Sequence, residues 1–267
     1  SVLYRMGSAR RNTLYATVSK GYKAGGFNTQ MFSDVLQQQV MKQMGFGSLY
    51  DVADVVTYKP EKSWNYEVGA HLSTPSHKVQ ADLALFYIDC RDQQLTVFPE
   101  GQVTGRLMTN AGRTRSFGGE ASLLATLWRN LDLQVAYGYT RATFVKFDTG
   151  KADYAGNFIP YAPQHTLYAG ASYTLRTGWN WLEYVIFRVA ANGAGRIYWN
   201  EANTFSQPFY ALLEASIRFE HRHWAVDVWG RNLTDTRYDT FYFMSIGNSF
   251  LQRSRPRTFG VSLSITL

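Results

Sequence analysis

Apolar and polar residues alternate one for one along most of this chain. That is the period of a pleated strand, whose successive side chains leave on opposite faces. Leu131, Leu133, Val135, Tyr137 and Tyr139 interleave with Asp132, Gln134, Ala136, Gly138 and Thr140. Trp64, Tyr66, Val68, Ala70 and Leu72 do the same with Ser63, Asn65, Glu67, Gly69 and His71, and Phe259, Val261, Leu263, Ile265 and Leu267 with Thr258, Gly260, Ser262, Ser264 and Thr266. About ten segments read this way, near 12–20, 61–73, 79–92, 112–127, 131–145, 164–175, 182–199, 208–220, 224–237 and 256–267. Residues 1–7 read as the end of a preceding strand, turning at Gly7-Ser-Ala-Arg10. Leu83–Ile88 is apolar on both faces, which leaves the register of its strand open.

The segments run about 10–14 residues. Strands of soluble proteins average nearer ~5–6, whereas a tilted strand crosses a bilayer in roughly 9–11. The polar set is small and hydrated, as a water-filled lumen requires, and Trp and Tyr gather towards segment ends, as in interfacial girdles. A soluble sandwich alternates too, but it does not explain the connections, which are short and long in turn. The short ones are 75–78, 128–130, 176–179 and 221–223; the long ones are near 22–58, 93–110, 146–163, 193–207 and 238–255. Short periplasmic turns and long extracellular loops belong to outer-membrane barrels. The expected fold is all-β, a transmembrane antiparallel outer-membrane β-barrel wall of about ten strands with both chain ends on the periplasmic side. One helix is expected inside the first long loop. Asp34 caps it with Gln37 three residues on, Val35, Leu36, Val40, Met41 and Met44 form its apolar stripe, and Gly45 stops it.

Composition narrows the choice further. With 45% hydrophobic and 18% charged residues the chain is not disordered. Its one cysteine, Cys90, excludes an intramolecular disulfide framework and a cysteine-based zinc cluster. The longest apolar runs, such as Ala121–Trp128, fall well short of the roughly 18 residues of a membrane helix, and no signal peptide opens the sequence. The net charge of +7 suits an anionic partner. Basic residues do not cluster in nucleic-acid-binding signatures, so lipopolysaccharide, membrane lipid or an anionic ligand is expected and nucleic acid is not.

Several stretches resemble the C-terminal part of the barrel of TonB-dependent outer-membrane transporters. They are Leu14–Asn28, running into Gly25-Gly26; Tyr58-Lys-Pro-Glu-Lys-Ser-Trp-Asn-Tyr-Glu-Val-Gly69; Phe86-Tyr-Ile-Asp89; Asn110-Ala-Gly112; Gly118-Gly-Glu120; Arg231-Asn-Leu-Thr-Asp-Thr-Arg-Tyr238; and the terminal Arg255–Leu267, where the family more often ends on an aromatic. The resemblance covers nearly the whole chain in the family's order. It implies a 22-stranded, siderophore-receptor-like barrel of which 1–267 is the C-terminal portion, with the plug domain and TonB-contacting segment outside these residues. It also implies uptake of a scarce nutrient, a ferric siderophore or haem, driven through the TonB-ExbB-ExbD system. On physical grounds Pro60 begins a strand before a ladder N–H is needed, and Gly25-Gly26 allows the backbone conformations of a loop tip. Glu67 and Glu120 fall on the lumen face, and Asn232 and Asp235 cap a turn.

Chemistry is thin. No nucleophile-elbow, zinc-helix or phosphate-loop pattern occurs, and no catalytic residue, metal or cofactor is expected. His221-Arg-His223 reads as a solvated turn. The expected ligand surface is the loops and lumen rim, which carry Tyr22, Lys23, Phe27, Arg106, Arg113, Arg115, Tyr154, Tyr198, Trp199, Tyr242, Arg253 and Arg255. Guanidinium groups supply charge and donors and aromatic rings supply stacking, a combination suited to a planar anionic chelate. Two alternatives stay open: a free-standing barrel enzyme of protease type, using His165 with Asp148 or Asp153, and a passive porin.

Overall fold

The structure, a computed structural model, describes residues 1–7, 12–29, 40, 43–45, 56–97, 107–128, 130–149, 152–245 and 248–266. Strands β1 (Val2–Met6), β2 (Asn12–Lys23), β3 (Gly26–Phe27), β4 (Thr57–Tyr58), β5 (Glu61–Ser73) and β6 (Val79–Val97) come first. They are followed by β7 (Leu107–Leu127), β8 (Leu131–Lys146), β9 (His165–Trp179), β10 (Leu182–Gly195), β11 (Ile197–Tyr198) and β12 (Ser206–Gln207). The last are β13 (Tyr210–His221), β14 (Trp224–Arg231), β15 (Asp239–Ser245), β16 (Asn248–Arg253) and β17 (Thr258–Ile265). Eleven strands form one antiparallel sheet in the order β1-β2-β5-β6-β7-β8-β9-β10-β13-β14-β17; β3-β4, β11-β12 and β15-β16 are separate pairs within the long connections.

All ten alternating segments are strands, and residues 2–6 supply the eleventh. Several of the expected bounds shift: β2 continues to Lys23, and β10 ends at Gly195 instead of 199. β6 and β7 run beyond the sheet as a ribbon of 19 and 21 residues. β9 continues to Trp179, so its turn is shorter than expected. β14 stops at Arg231 instead of 237, because Asn232 takes a φ of 50° and its Oδ1 accepts the Thr236 N–H at 2.9 Å, which folds the chain out of the sheet. The expected helix at 34–45 lies mostly outside the described residues; within it the Met44 N–H donates to the Val40 carbonyl at 3.1 Å.

Register separates the two faces. Val68↔Leu85, Leu123↔Val135, Ala171↔Val189, Ile217↔Val228 and Val228↔Val261 stand opposite one another, so the apolar sets of all strands share one face. That face is open to the surroundings, with Leu85 64% and Val261 68% exposed. Burial of such a surface requires an apolar solvent. Glu67, Ser122, Gln134, Ser172, Ser216 and Ser262 share the other face. The ambiguous strand is thereby fixed, with Leu83, Leu85 and Tyr87 on the apolar face and Ala84, Phe86 and Ile88 on the polar one. Cys90, opposite Ser63 and Thr114, is buried on the polar side.

Candidate functional site

The polar face is lined with hydrogen-bonded groups. Glu67 accepts the Tyr15 hydroxyl at 2.8 Å, and His71 meets Asp82 at 2.6 Å and stacks on Tyr15. These side chains border a recess of ≈ 700 Å³ with Glu120 and Ser122. A second recess of ≈ 580 Å³ is bordered by Asp132, Tyr168, Arg188, Glu214, Trp229 and Arg231. Arg218 donates to Glu220 and Asp227 at 2.7 and 2.8 Å, and the Arg231 guanidinium lies 4.8 Å from the Trp229 ring centre. The ligand candidates read from the sequence omitted Arg188, Trp229 and Arg231. Their signal was present as the polar members of the alternation, which carry charge as well as small groups.

At the loop end, three long connections pack into one cap. Phe144 and Phe147 form a small core with Ala111, Ala142 and Ile159, against which Tyr154 rests. The Phe158 N–H donates to Asn203 Oδ1 at 2.6 Å and Asn203 Nδ2 returns a bond to the Phe158 carbonyl at 2.9 Å, joining residues 147–164 to 196–209. The Tyr161 hydroxyl reaches the Tyr242 carbonyl at 3.2 Å, which ties in the β15–β16 hairpin, and its ring stacks on Phe241. Burial pushes the Tyr161 phenol up to about 12, with Glu201 adding to the shift. Burial also raises the Glu201 carboxyl, against a smaller lowering by a backbone hydrogen bond.

On the other side of the rim, side-chain amides hold the first loop. Asn28 exchanges two bonds of 2.8 Å with Met108, a copy of a strand pair made by a side chain. Asn110 grips Lys59 through both N–H and carbonyl at 2.7 and 3.0 Å, and Gln94 Nε2 donates to Ala24 and Lys59. Gly25 serves close approach: a Cβ there would sit 2.5 Å from the Tyr58 carbonyl oxygen. The need is for space, not for the left-handed backbone expected of a loop tip.

The twelve candidate residues fall into separate places. Lys23, opposite Glu61 at the end of β2, and Phe27, 64% exposed in β3, lie at the rim of the first loop. Tyr198 stacks on Phe158 at 5.2 Å, while Trp199 and Tyr242 are buried inside the cap as part of its core. Arg253 and Arg255 are exposed on the approach to β17. Tyr22, Arg113 and Arg115 stand on the outer, apolar face and not at the lumen rim, because each falls in register with the apolar set of its strand. Arg106 lies outside the described residues. His165 also faces outward: its Nδ1 is 2.7 Å from the Tyr137 hydroxyl and its ring packs on Tyr139, so it does not border the lumen with Asp148 or Asp153. Among the described residues no three His, Cys, Asp or Glu gather in a way that could hold a metal ion.

A sheet apolar outside and polar inside, with its long connections all at one end, is the wall of an outer-membrane β-barrel. The chain matches the TonB dependent receptor-like, beta-barrel family over residues 2–233 and belongs to that family of Gram-negative outer-membrane proteins. It is 27% identical over 258 residues to the pesticin receptor of Yersinia pestis, covering 94% of this chain and 33% of that protein. Its fold is similar to the ferric yersiniabactin uptake receptor FyuA from Yersinia pestis, with a TM-score of 0.75 and 23% identity over 98% of this chain and 36% of that one. It is also similar to BauA, the ferric preacinetobactin receptor from Acinetobacter baumannii, with a TM-score of 0.65 and 17% identity over 95% of this chain and 34% of that one. The chain thus spans about a third of the length of the relatives it matches. These relatives are receptors and not enzymes, which agrees with the outward position of His165.

Proposed function

We propose that this chain is the C-terminal wall of a plugged, TonB-driven uptake barrel whose cargo is a ferric siderophore. Family membership over residues 2–233 carries the reading, and the names of its relatives, a ferric yersiniabactin and a ferric preacinetobactin receptor, favour an iron chelate over haem. In this reading the edge strands β1 and β17 pair with the rest of the barrel, since open N–H and C=O groups in hydrocarbon cost several kcal/mol each. The plug and the contact with TonB-ExbB-ExbD lie in parts of the protein outside these residues. The cargo meets the exposed members of the loop end, Lys23, Phe27, Arg253 and Arg255, and the half-buried Tyr198; Arg231 on Trp229 receives it on the inner face. Cations with aromatic platforms suit a planar anionic complex.

The test is uptake of radio-iron by iron-starved cells carrying the intact protein, offered phenolate, catecholate, hydroxamate and citrate chelates and haem. One chelate class should be taken up only with the protein and with TonB, and Arg253→Ala/Arg255→Ala should lower that uptake several-fold. Uptake that survives loss of TonB, or that is confined to haem, would overturn the proposal.

A further inference from the structure

The outer face changes character towards the loop end. Register sets the rows across four or five strands. Ala16, Val68 and Leu85 form an aliphatic row, and the next holds Val18, Tyr66, Tyr87 and Phe117, with Arg141 at its end. Beyond it come Lys20, Trp64, Asp89 and Arg115, and then Tyr22, Lys62, Arg91 and Arg113. Two residues of strand advance about 7 Å, so the cations stand roughly 7–13 Å along the tilted strands past the aromatic row. An aromatic girdle marks the edge of the hydrocarbon. The cations therefore lie at the depth of the outer leaflet's head groups.

Against Lys20, Lys62, Arg91, Arg113 and Arg115 the rows set a single carboxylate, Asp89. Lys62, Arg91 and Arg113 are direct neighbours on three adjacent strands, an arrangement of like charges that weakens a sheet. The one ion pair among the described residues of this patch joins Arg113 Nε to Asp89 Oδ1 at 2.7 Å. Glu61, beside Lys62, points to the other face, where it accepts the Gln94 N–H at 2.9 Å. Lys20 lies 5.9 Å from the Trp64 ring centre and Arg141 5.5 Å from that of Phe158, so aromatic faces hold their stems without neutralising them. Exposed cations in this number, aligned above an apolar wall, need an anion that also carries hydrocarbon.

We propose that this patch is a binding site for the phosphate groups of the phosphorylated glycolipid of the outer leaflet, with acyl chains lying on Val18, Val68 and Leu85 and phosphates on Lys62, Arg91 and Arg113. The site rests on the outward orientation of the loop end and is independent of the cargo. Free phosphate shares the head-group chemistry, so the test separates the two. The intact protein in detergent micelles is titrated with bis-phosphorylated lipid A, with the same lipid enzymatically dephosphorylated, and with inorganic phosphate as competitor. The phosphorylated lipid binds about tenfold tighter than the dephosphorylated form. Lys62→Gln/Arg91→Gln, which breaks no ion pair seen here, lowers that affinity by about tenfold or more, while Lys62→Arg/Arg91→Lys keeps it. Compact, heat-resistant migration of both variants in gels verifies the barrel. Equal binding of the two lipids, an unchanged affinity in the Gln variant, or displacement of the lipid by millimolar inorganic phosphate would overturn the site. Uptake of iron is the separate measurement on which the receptor reading stands or falls.

Discussion

Asn232 shows how much one side chain can organise. It is 7% exposed, holds φ at 50°, and its amide donates to the Thr236 and Arg255 carbonyls at 3.0 and 3.2 Å while accepting the Thr236 N–H. Three residues on, Asp235 repeats the left-handed conformation and accepts the Arg257 N–H at 2.9 Å. The turn at the end of β14 and the return into β17 are thus joined by two short polar side chains, the residue types that tolerate this backbone. Asn232→Ala takes the side-chain partner from the half-buried Thr236 N–H and from the Thr236 and Arg255 carbonyls and should cost about 1–3 kcal/mol, read as a lower urea midpoint of the intact protein; Asn232→Asp, which keeps the acceptor alone, should fall between. The turn was legible because the residue types announce it. The use of Gly25 was not, since a close approach to Tyr58 depends on a residue 33 positions away that the local sequence does not name.

At the scale of elements, strand periodicity marked ten of the eleven strands of the large sheet, while the cap above it was invisible. Periodicity reports which face a residue takes; the cap is built from irregular segments joined by Asn157, Asn203, Tyr161 and Trp199, through contacts that span 38 to 81 residues of chain. For the same reason Trp199 and Tyr242 looked available as ligand contacts when they are the cap's interior. Glu201 makes the cap sensitive to pH. Its carboxyl is raised above the ordinary 4.5 chiefly by burial, so the folded cap binds the proton more tightly than the open loop does. That contribution is fully present below pH 4.5 and is lost as pH rises through the raised value. Hydrogen-exchange protection of the Asn203–Phe205 amides, corrected for intrinsic rates, should therefore fall between pH 4 and pH 8 in the native protein. Glu201→Gln should flatten that dependence and match the acid-side protection at pH 8. A native profile already flat would refute the assignment.

Over the whole molecule, membrane residence rests on one property, the division of every strand between an apolar and a polar face. The face assignment follows from register, and register follows from alternation, because a slip of one residue would turn each apolar set towards the lumen. Only Leu83–Ile88, apolar on both sides, needed its neighbours to settle it, and pairing with Val68 and Gly119 places Leu85 outward. Charge discriminates the two faces sharply. An Arg at mid-bilayer on the lipid face of a barrel costs roughly 2–4 kcal/mol, whereas lumen positions accept it. Leu85→Arg should cost about that much in denaturant unfolding of the intact protein in phospholipid vesicles. Ser122→Arg puts the same guanidinium on the inner face, where Asp82 already receives the Ser122 hydroxyl at 3.1 Å, and its cost should stay below about 1 kcal/mol, the range of a solvated ion pair. Moving both proteins from vesicles into a zwitterionic detergent should shrink the Leu85→Arg penalty and leave Ser122→Arg unchanged, because only the first depends on the hydrocarbon. Equal penalties for the two variants in vesicles would mean that the apolar face is covered by protein instead of lipid, and the barrel-wall geometry would then have to be rebuilt around that partner.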